Sequence, residues 1–355
     1  MKRLLLTLTV ILLGLPMVHA QQIRFVFMSD PHYGLEREFR GREARAEEVN
    51  RVMAGTVAAL PGERLPDDGG VGAGEAIGPL DFVVCGGDIA NRMEDGVQPA
   101  AESWREFAAT WLAPDMPRVW MLAGNHDLSN AIGYVRPMTP ERDATCAAEI
   151  FNRTMHPDTL RTAATFDYAT DKVHYVVDVS GVRFVFAGMW PDTPTRRWLD
   201  EALAGSDRPC LLFTHSEPDA EAKQFINPYG DHSINATDRF ENLICDTCSV
   251  ARGGTPRREY GQLAAFLAGH PTIVAWFHGN TNYNEFYTWE GPDHKVAVPV
   301  FRVDSSMKGE ISGTDESMLS FQVVCIDVAT RRMTVREYFW NRTPGEWGAS
   351  ATVTL

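Results

Sequence analysis

Ile23-Arg24-Phe25-Val26-Phe27-Met28-Ser29-Asp30-Pro31-His32 is the stretch from which the rest of the chain can be read. The run up to Met28 is mostly apolar and short, which predicts a buried strand. Side chains two apart on an extended chain point to one side, so Asp30 and His32 can face a single point. The same design recurs downstream. A strand over Asp81–Cys85 runs into Gly86-Gly87-Asp88-Ile89-Ala90-Asn91, where two glycines let the backbone turn and deliver Asp88. A strand over Arg118–Leu122 leads to Gly124-Asn125-His126-Asp127, and one over Pro209–Thr214 leads to His215. Each block alone is weak, because Asp-x-His is a common surface pair and Gly-Asp a common turn. Four in order, each directly after an apolar strand, are a strong signal. Carboxylate, imidazole and amide oxygen gathered at strand ends are what a pair of divalent metal ions needs.

Between these blocks the pattern predicts helices over Arg42–Leu60, Ala101–Leu112, Arg142–Asn152, Thr195–Ala204 and Pro256–Leu267. Further strands are expected over Val173–Val179, Val182–Ala187, Thr272–Phe277, Lys295–Val303, Leu319–Val328 and Met333–Trp340. Strand–helix alternation followed by a late run of strands implies an α/β (α+β) chain with two sheets covered by helices. The stretch Ser216–Gly254, with Asp231 and His232, is too long for a passive connection and is expected to shape a substrate cleft.

The chain has 355 residues and a formal charge of −14. No basic stripe for nucleic acid is evident, so an anionic substrate must be drawn in locally, which a metal cluster would do. Lys2 and Arg3 precede an apolar run to Leu15, and Val18-His19-Ala20 offers a cleavage site. That layout predicts a signal peptide over residues 1–20, cleaved near Ala20, with one domain over 21–355 and export to a periplasmic or extracellular space. No later segment could span a bilayer. Of six cysteines, Cys85, Cys210 and Cys325 sit in apolar runs and read as buried thiols. Cys245 and Cys248 are expected to form a local disulfide in an oxidising compartment. Asn152, Asn235 and Asn341 head glycosylation sequons.

From Asp30 to Asn282 the ordered blocks resemble the calcineurin-like metallophosphoesterases, whose pattern runs Asp-x-His, Gly-Asp, Gly-Asn-His-Asp/Glu, a lone His, then Gly-His-x-His. The resemblance implies a β-sandwich flanked by helices. It implies that Asp30 and His32 hold one metal, Asn125 and His215 the other, and that Asp88 bridges both. The implied reaction is hydrolysis of phosphate mono- or diesters of a small phosphorylated substrate by a metal-bridging hydroxide. His126 would stabilise the transition state or protonate the leaving oxygen, with Asp127 fixing its tautomer. The alternative for His126 is a residue that only braces its loop.

The last block departs from the family, since Gly279-Asn280-Thr281-Asn282 has asparagine at both histidine positions. Asn280 and Asn282 then become weak oxygen ligands. An oxygen-rich set favours manganese or magnesium, with iron or zinc as the other options. His278 either lends a nitrogen toward the site or is packed at a strand end. Asn91 stands near the substrate, where purple acid phosphatases carry tyrosine. The competing reading is a degenerate member that binds a phosphorylated ligand with little or no turnover.

Overall fold

The computed structural model describes residues 22–133, 142–220 and 257–355. The leader, Asp231, His232, Asn235 and the Cys245–Cys248 pair lie outside the described residues.

The first sheet has β1 (Gln22–Met28), β4 (Phe82–Cys85), β5 (Val119–Met121), β12 (Ser320–Asp327), β13 (Arg332–Phe339) and β14 (Glu346–Thr354). Its strand order is β14-β13-β12-β1-β4-β5. The second sheet has β6 (His174–Val179), β7 (Val182–Ala187), β8 (Cys210–Phe213), β9 (Ile273–His278), β10 (Glu285–Trp289) and β11 (Val298–Arg302). Its order is β10-β11-β9-β8-β7-β6. The sheets meet through aromatic side chains. Phe27 lies 5.3 Å from Phe277, and Phe25 lies 5.7 Å from Phe184, ring centre to ring centre and edge-on. Truncating any one of these fully buried rings to alanine would cost ~3–5 kcal/mol.

β1, β4 and β5 run parallel, as do β7, β8, β9 and β11. Parallel neighbours end at one edge, so the polar blocks that follow β1, β4, β5, β8 and β9 arrive at the same end of the sandwich. Helices α1 (Ala46–Ala59), α2 (Ala100–Trp111), α3 (Asn125–Ile132), α4 (Thr145–Met155), α5 (Thr193–Leu203) and α6 (Arg257–Gly269) accompany the sheets. In α1 the buried Val49, Met53 and Val57 recur at helical spacing, which is the stripe expected from the sequence.

Four local expectations change. The first helix does not begin at Arg42. β2 (Glu36–Phe39) and β3 (Arg42–Arg45) form an antiparallel hairpin first, in which Phe39 and Ala44 turn inward while the charged side chains mostly face water. β10 and β14 were not expected; β14 is an edge strand with mostly exposed residues and carries little apolar signal. The Gly-Asn-His-Asp block is not a loop but the start of α3. Cys146 joins Cys85, Cys210 and Cys325 as a buried free thiol. Among the described residues no helix is long and apolar enough to cross a membrane.

Candidate metal centre

The site is built on backbone that few residues tolerate. Asp30, His32, Asp88, Asn280 and Asn282 all have positive φ, between 41° and 68°. Left-handed geometry costs a non-glycine residue of order 1–3 kcal/mol and persists only where surroundings impose it. Hydrogen bonds between blocks impose it here. Asp30 N–H donates to Gly87 O (3.0 Å), His32 N–H to Asp88 O (3.0 Å) and Asn280 N–H to Asp30 Oδ2 (3.0 Å). Two glycines allow the blocks to close on one another. A Cβ on Gly124 would stand 2.1 Å from Asp88 Oδ1, and one on Gly279 would stand 2.1 Å from Asp30 Oδ2.

Asp88 is the hub. Its Oδ1 accepts from His126 N–H (2.7 Å) and lies 3.5 Å from His215 Nε2. Its Oδ2 lies 3.7 Å from His32 Nε2 and 3.9 Å from His126 Nε2. Two buried trios, Asp30–Asp88–His215 and His32–Asp88–His126, each bring three donor atoms within 4.8 Å of one another and share Asp88. His32 Nε2 is also 3.7 Å from Asp30 Oδ1, so the expected Asp30–His32 pairing is geometrically open as well.

Several atoms fit a cation better than anything else nearby. Asp30 Oδ1, both ring nitrogens of His32 and Asn282 Oδ1 are buried and accept or donate no hydrogen bond among the described residues. Native folds rarely leave such groups unmet, since each costs ~1–3 kcal/mol. His215 Nδ1 donates to Gly86 O (3.0 Å), which leaves Nε2 to face Asn125 Oδ1 at 2.9 Å. A backbone carbonyl holding one nitrogen while the other faces oxygen donors is the usual arrangement of a metal-binding imidazole. Burial opposes a charged ring at His215, yet the Asp88 and Asp30 carboxylates lift it to about 10. Burial raises Asp30 to about 6, against the pull of His215. Burial also acts to raise Asp88, but the surrounding imidazoles, His215 foremost, hold it well below the usual carboxylate range. The centre is electrostatically prepared for positive charge.

His126 is held differently. Its Nδ1 accepts from Arg92 N–H at 3.0 Å, so the ring proton sits on Nε2, facing Asp88 and Lys308 Nζ (3.3 Å). A protonated Nε2 is a proton donor and not a ligand. This corrects the expected role of Asp127, which does not touch the His126 ring. Its carboxylate accepts from the N–H groups of Ile89 (3.2 Å), Ala90 (2.8 Å) and Gly124 (2.9 Å) and from Cys146 Sγ (3.3 Å). Asp127 thus ties the Gly-Asp block to the Gly-Asn-His-Asp block, and burial raises it to about 7.

His278 is not available to a substrate or a metal. Its Nδ1 donates to Gly279 O (2.9 Å) and its Nε2 accepts from Tyr287 O–H (3.2 Å), while burial lowers it to about 3. Asn91 is buried, and its amide donates to Arg92 O (3.1 Å); no contact with the other candidates is seen for its side chain among the described residues. Asn282 Nδ2 donates to Asn280 O (3.1 Å). Asn280 Nδ2 donates to Glu217 Oε2 (3.1 Å), which turns its Oδ1 away from that carboxylate. Glu217, Arg92 and Lys308 belong to no motif. Glu217 lies two residues past His215, and that proximity was the one available cue. A cavity of about 660 Å³, lined in part by Leu128, Phe166, Met189 and Trp190, includes none of the candidate ligands.

With this geometry in place, the comparison with known families is decisive: the profile described as "Calcineurin-like phosphoesterase" matches residues 23–270. The chain belongs to the calcineurin-like phosphoesterase family. The family is metal-dependent, and Asp30, His32, Asp88 and His215 of the two trios are the candidate ligands in this member. No curated protein sequence matches the chain. Among solved structures it is similar to a single mutant of Vps29 from Entamoeba histolytica, at 10% identity and TM-score 0.33, covering 94% of this chain and 99% of that one. Vacuolar Protein Sorting 29 from Cryptosporidium parvum is similar at 9% identity and TM-score 0.36, with 94% and 99% covered. Wild-type Vps29 from Entamoeba histolytica, complexed with Zn+2, is similar at 10% identity and TM-score 0.34, with 93% and 99% covered.

Proposed function

We propose that this phosphoesterase-family chain is an active hydrolase of phosphate mono- or diesters, working with two divalent metal ions that share Asp88. The observation that carries the proposal is that Asp30 and His32, whose Oδ1 and ring nitrogens have no hydrogen-bond partner among the described residues, both gather on Asp88. Asp30 and His32 would hold one ion, Asn125 and His215 the other, with Asn282 and Asn280 as the weak oxygen ligands of each. When bound, such ions supply an acidified water and neutralise charge growing on the phosphoryl oxygens. Oxygen donors outnumber imidazoles in this set, which supports manganese or magnesium.

The chain's own contribution is positional. Asp127 locks two of the ligand blocks together through backbone N–H groups. Arg92 N–H keeps the His126 proton on Nε2, from which it can pass to a departing ester oxygen. Both ring nitrogens of His278 are taken by Gly279 and Tyr287, whereas Asn91 Oδ1 is buried with no hydrogen-bond partner among the described residues and stays a candidate for the substrate. We also propose that the mature protein starts near Gln21 and acts outside the cytoplasm on a small phosphorylated substrate, on the strength of the charged and apolar leader.

One observation favours a second reading, a binder with little turnover: asparagine stands at both positions of the last block. A single experiment separates the two. Protein stripped with a chelator and reloaded with manganese, magnesium, zinc or iron is assayed on an aryl phosphate while its bound metal is counted. Activity that disappears and returns with metal supports the hydrolase. Metal and phosphate bound without turnover supports the binder, and full activity in metal-free protein removes both.

A further inference from the structure

Lys308 belongs to none of the motif blocks and lies beyond residue 270, where the family match ends. It stands on a turn fastened to the centre on both sides. Ser305 Oγ donates to Asp30 O (2.7 Å) and accepts from the N–H of Met307 (3.2 Å) and Lys308 (2.9 Å). Ser306 Oγ donates to Asn50 Oδ1 (2.9 Å), and Asn50 Nδ2 donates to Pro31 O (2.9 Å). Glu310 N–H donates to Asn282 O (2.7 Å). The turn is registered against the Asp30–His32 block and against Asn282 together.

Lys308 is exposed, yet its ammonium is turned back to lie 3.3 Å from His126 Nε2. Among the described residues it makes no ion pair with a carboxylate, although acidic residues outnumber basic ones 47 to 33 in the chain. The contact with His126 has an unusual consequence. Arg92 N–H fixes the ring proton on Nε2, and an ammonium has donors only. Two donors therefore converge on one small volume beside the metal ligands, and neither can satisfy the other. An anionic oxygen placed between them satisfies both.

We infer that Lys308 contacts the substrate phosphoryl group and gives the centre a preference for phosphate monoesters over diesters. The inference rests on the hydrolase reading above. A monoester near neutral pH carries close to two negative charges, and its second ionisation lies near pH ~6. Its free anionic oxygen can take a charge-assisted hydrogen bond from the ammonium. A diester carries one charge, and one of its oxygens is blocked by a second ester group. Set against Lys308, that group leaves the ammonium without its acceptor, and such a mismatch is how sites reject close analogues.

The test uses the full chain loaded with manganese and the variants Lys308→Met and Lys308→Arg. For 4-nitrophenyl phosphate, Lys308→Met lowers kcat/KM by ~10–100-fold, the usual worth of a hydrogen bond to a charged group. The ratio of monoester to bis(4-nitrophenyl) phosphate activity falls by about tenfold or more, and Lys308→Arg restores most of it. Calorimetric titration of inorganic phosphate shows weaker binding by about tenfold in Lys308→Met at unchanged metal content. Equal losses on both esters, or phosphate binding as tight as in wild type, overturn the inference. If wild type hydrolyses neither ester, the hydrolase reading fails, and the phosphate titration alone then decides whether Lys308 contacts the anion.

Discussion

Arg92 N–H and His126 Nδ1 lie 3.0 Å apart, and that single backbone hydrogen bond decides which ring nitrogen carries a proton into the centre. The N–H that makes the bond belongs to the backbone of residue 92. The bond needs the backbone held in place, which Arg92 Nε achieves by donating to Ser129 Oγ at 2.9 Å.

His126→Ala is expected to keep its bound metal and lose rate by ~10²–10⁴-fold, the normal worth of a positioned acid. Metal analysis beside turnover checks this. A variant as fast as wild type would remove His126 from the chemistry.

Asp88→Asn is expected to lose metal and activity together. The substitution removes the one negative charge that both trios share. Retention of two ions per chain in this variant would show that Asp88 does not bridge.

Of the two asparagines, Asn280 has its amide oriented by Glu217. Asn280→Ala should weaken the ion at Asn125 and His215, and Asn282→Ala the ion at Asp30 and His32. Glu217→Ala should weaken the first ion alone, because it frees the Asn280 amide to rotate. Metal titration of the three variants is the readout. A double alanine variant with both ions and full rate would place this block outside the ligand set. Restoring histidine at both positions should shift preference toward zinc or iron.

Gly279→Ala should destabilise the fold by ~1–3 kcal/mol, because its Cβ would press on Asp30 Oδ2 and neither partner has room to retreat. Denaturant midpoints measure it. An unchanged midpoint together with unchanged metal affinity would contradict the close approach.

Acid should weaken the fold through His278, which burial holds at about 3 against an ordinary 6.5. Below pH 6.5 the unfolded chain takes up a proton that the folded ring refuses, so this stabilisation is complete above 6.5 and declines as pH falls toward 3. Between pH 7 and 5 the loss from this residue is ~2 kcal/mol. His278→Gln, which cannot titrate, should show a correspondingly smaller loss over the same interval. Parallel pH profiles for the two proteins would count against it.

The sequence disclosed the parts of the site that follow apolar strands. Asp30, Asp88, Asn125 and His215 each come directly after a run whose burial is obvious, and the strand pattern announces where they point. Arg42 to Arg45, the second strand of the hairpin, reads as helix because its charged residues also suit an exposed helix face, and the short strand Glu36–Phe39 carries no signal of its own. β14 carries too few buried apolar residues to register. Asp127 sits beside His126 in the chain, and adjacency suggested a contact that the start of α3 turns away. Lys308 and Ser305 were invisible for another reason. They follow β11 in an irregular turn, and only tertiary hydrogen bonds, such as those from Ser305 Oγ to Asp30 O and from Glu310 N–H to Asn282 O, bring that turn to the candidate ligands.

The strand order β14-β13-β12-β1-β4-β5 sets a timetable for the newborn chain. β1 delivers the first candidate ligands, yet one of its two neighbours is β12, which is synthesised about three hundred residues later (Gln22 pairs with Asp327). Until that strand arrives, the second edge of β1 stays open, and the turn bearing Ser305 is not yet anchored beside it. A chain emerging N-terminus first therefore carries its ligand residues long before it can assemble them. On the two-metal proposal, ions met during synthesis would find no finished centre to enter, and the choice of metal would fall to whichever compartment the completed chain folds in.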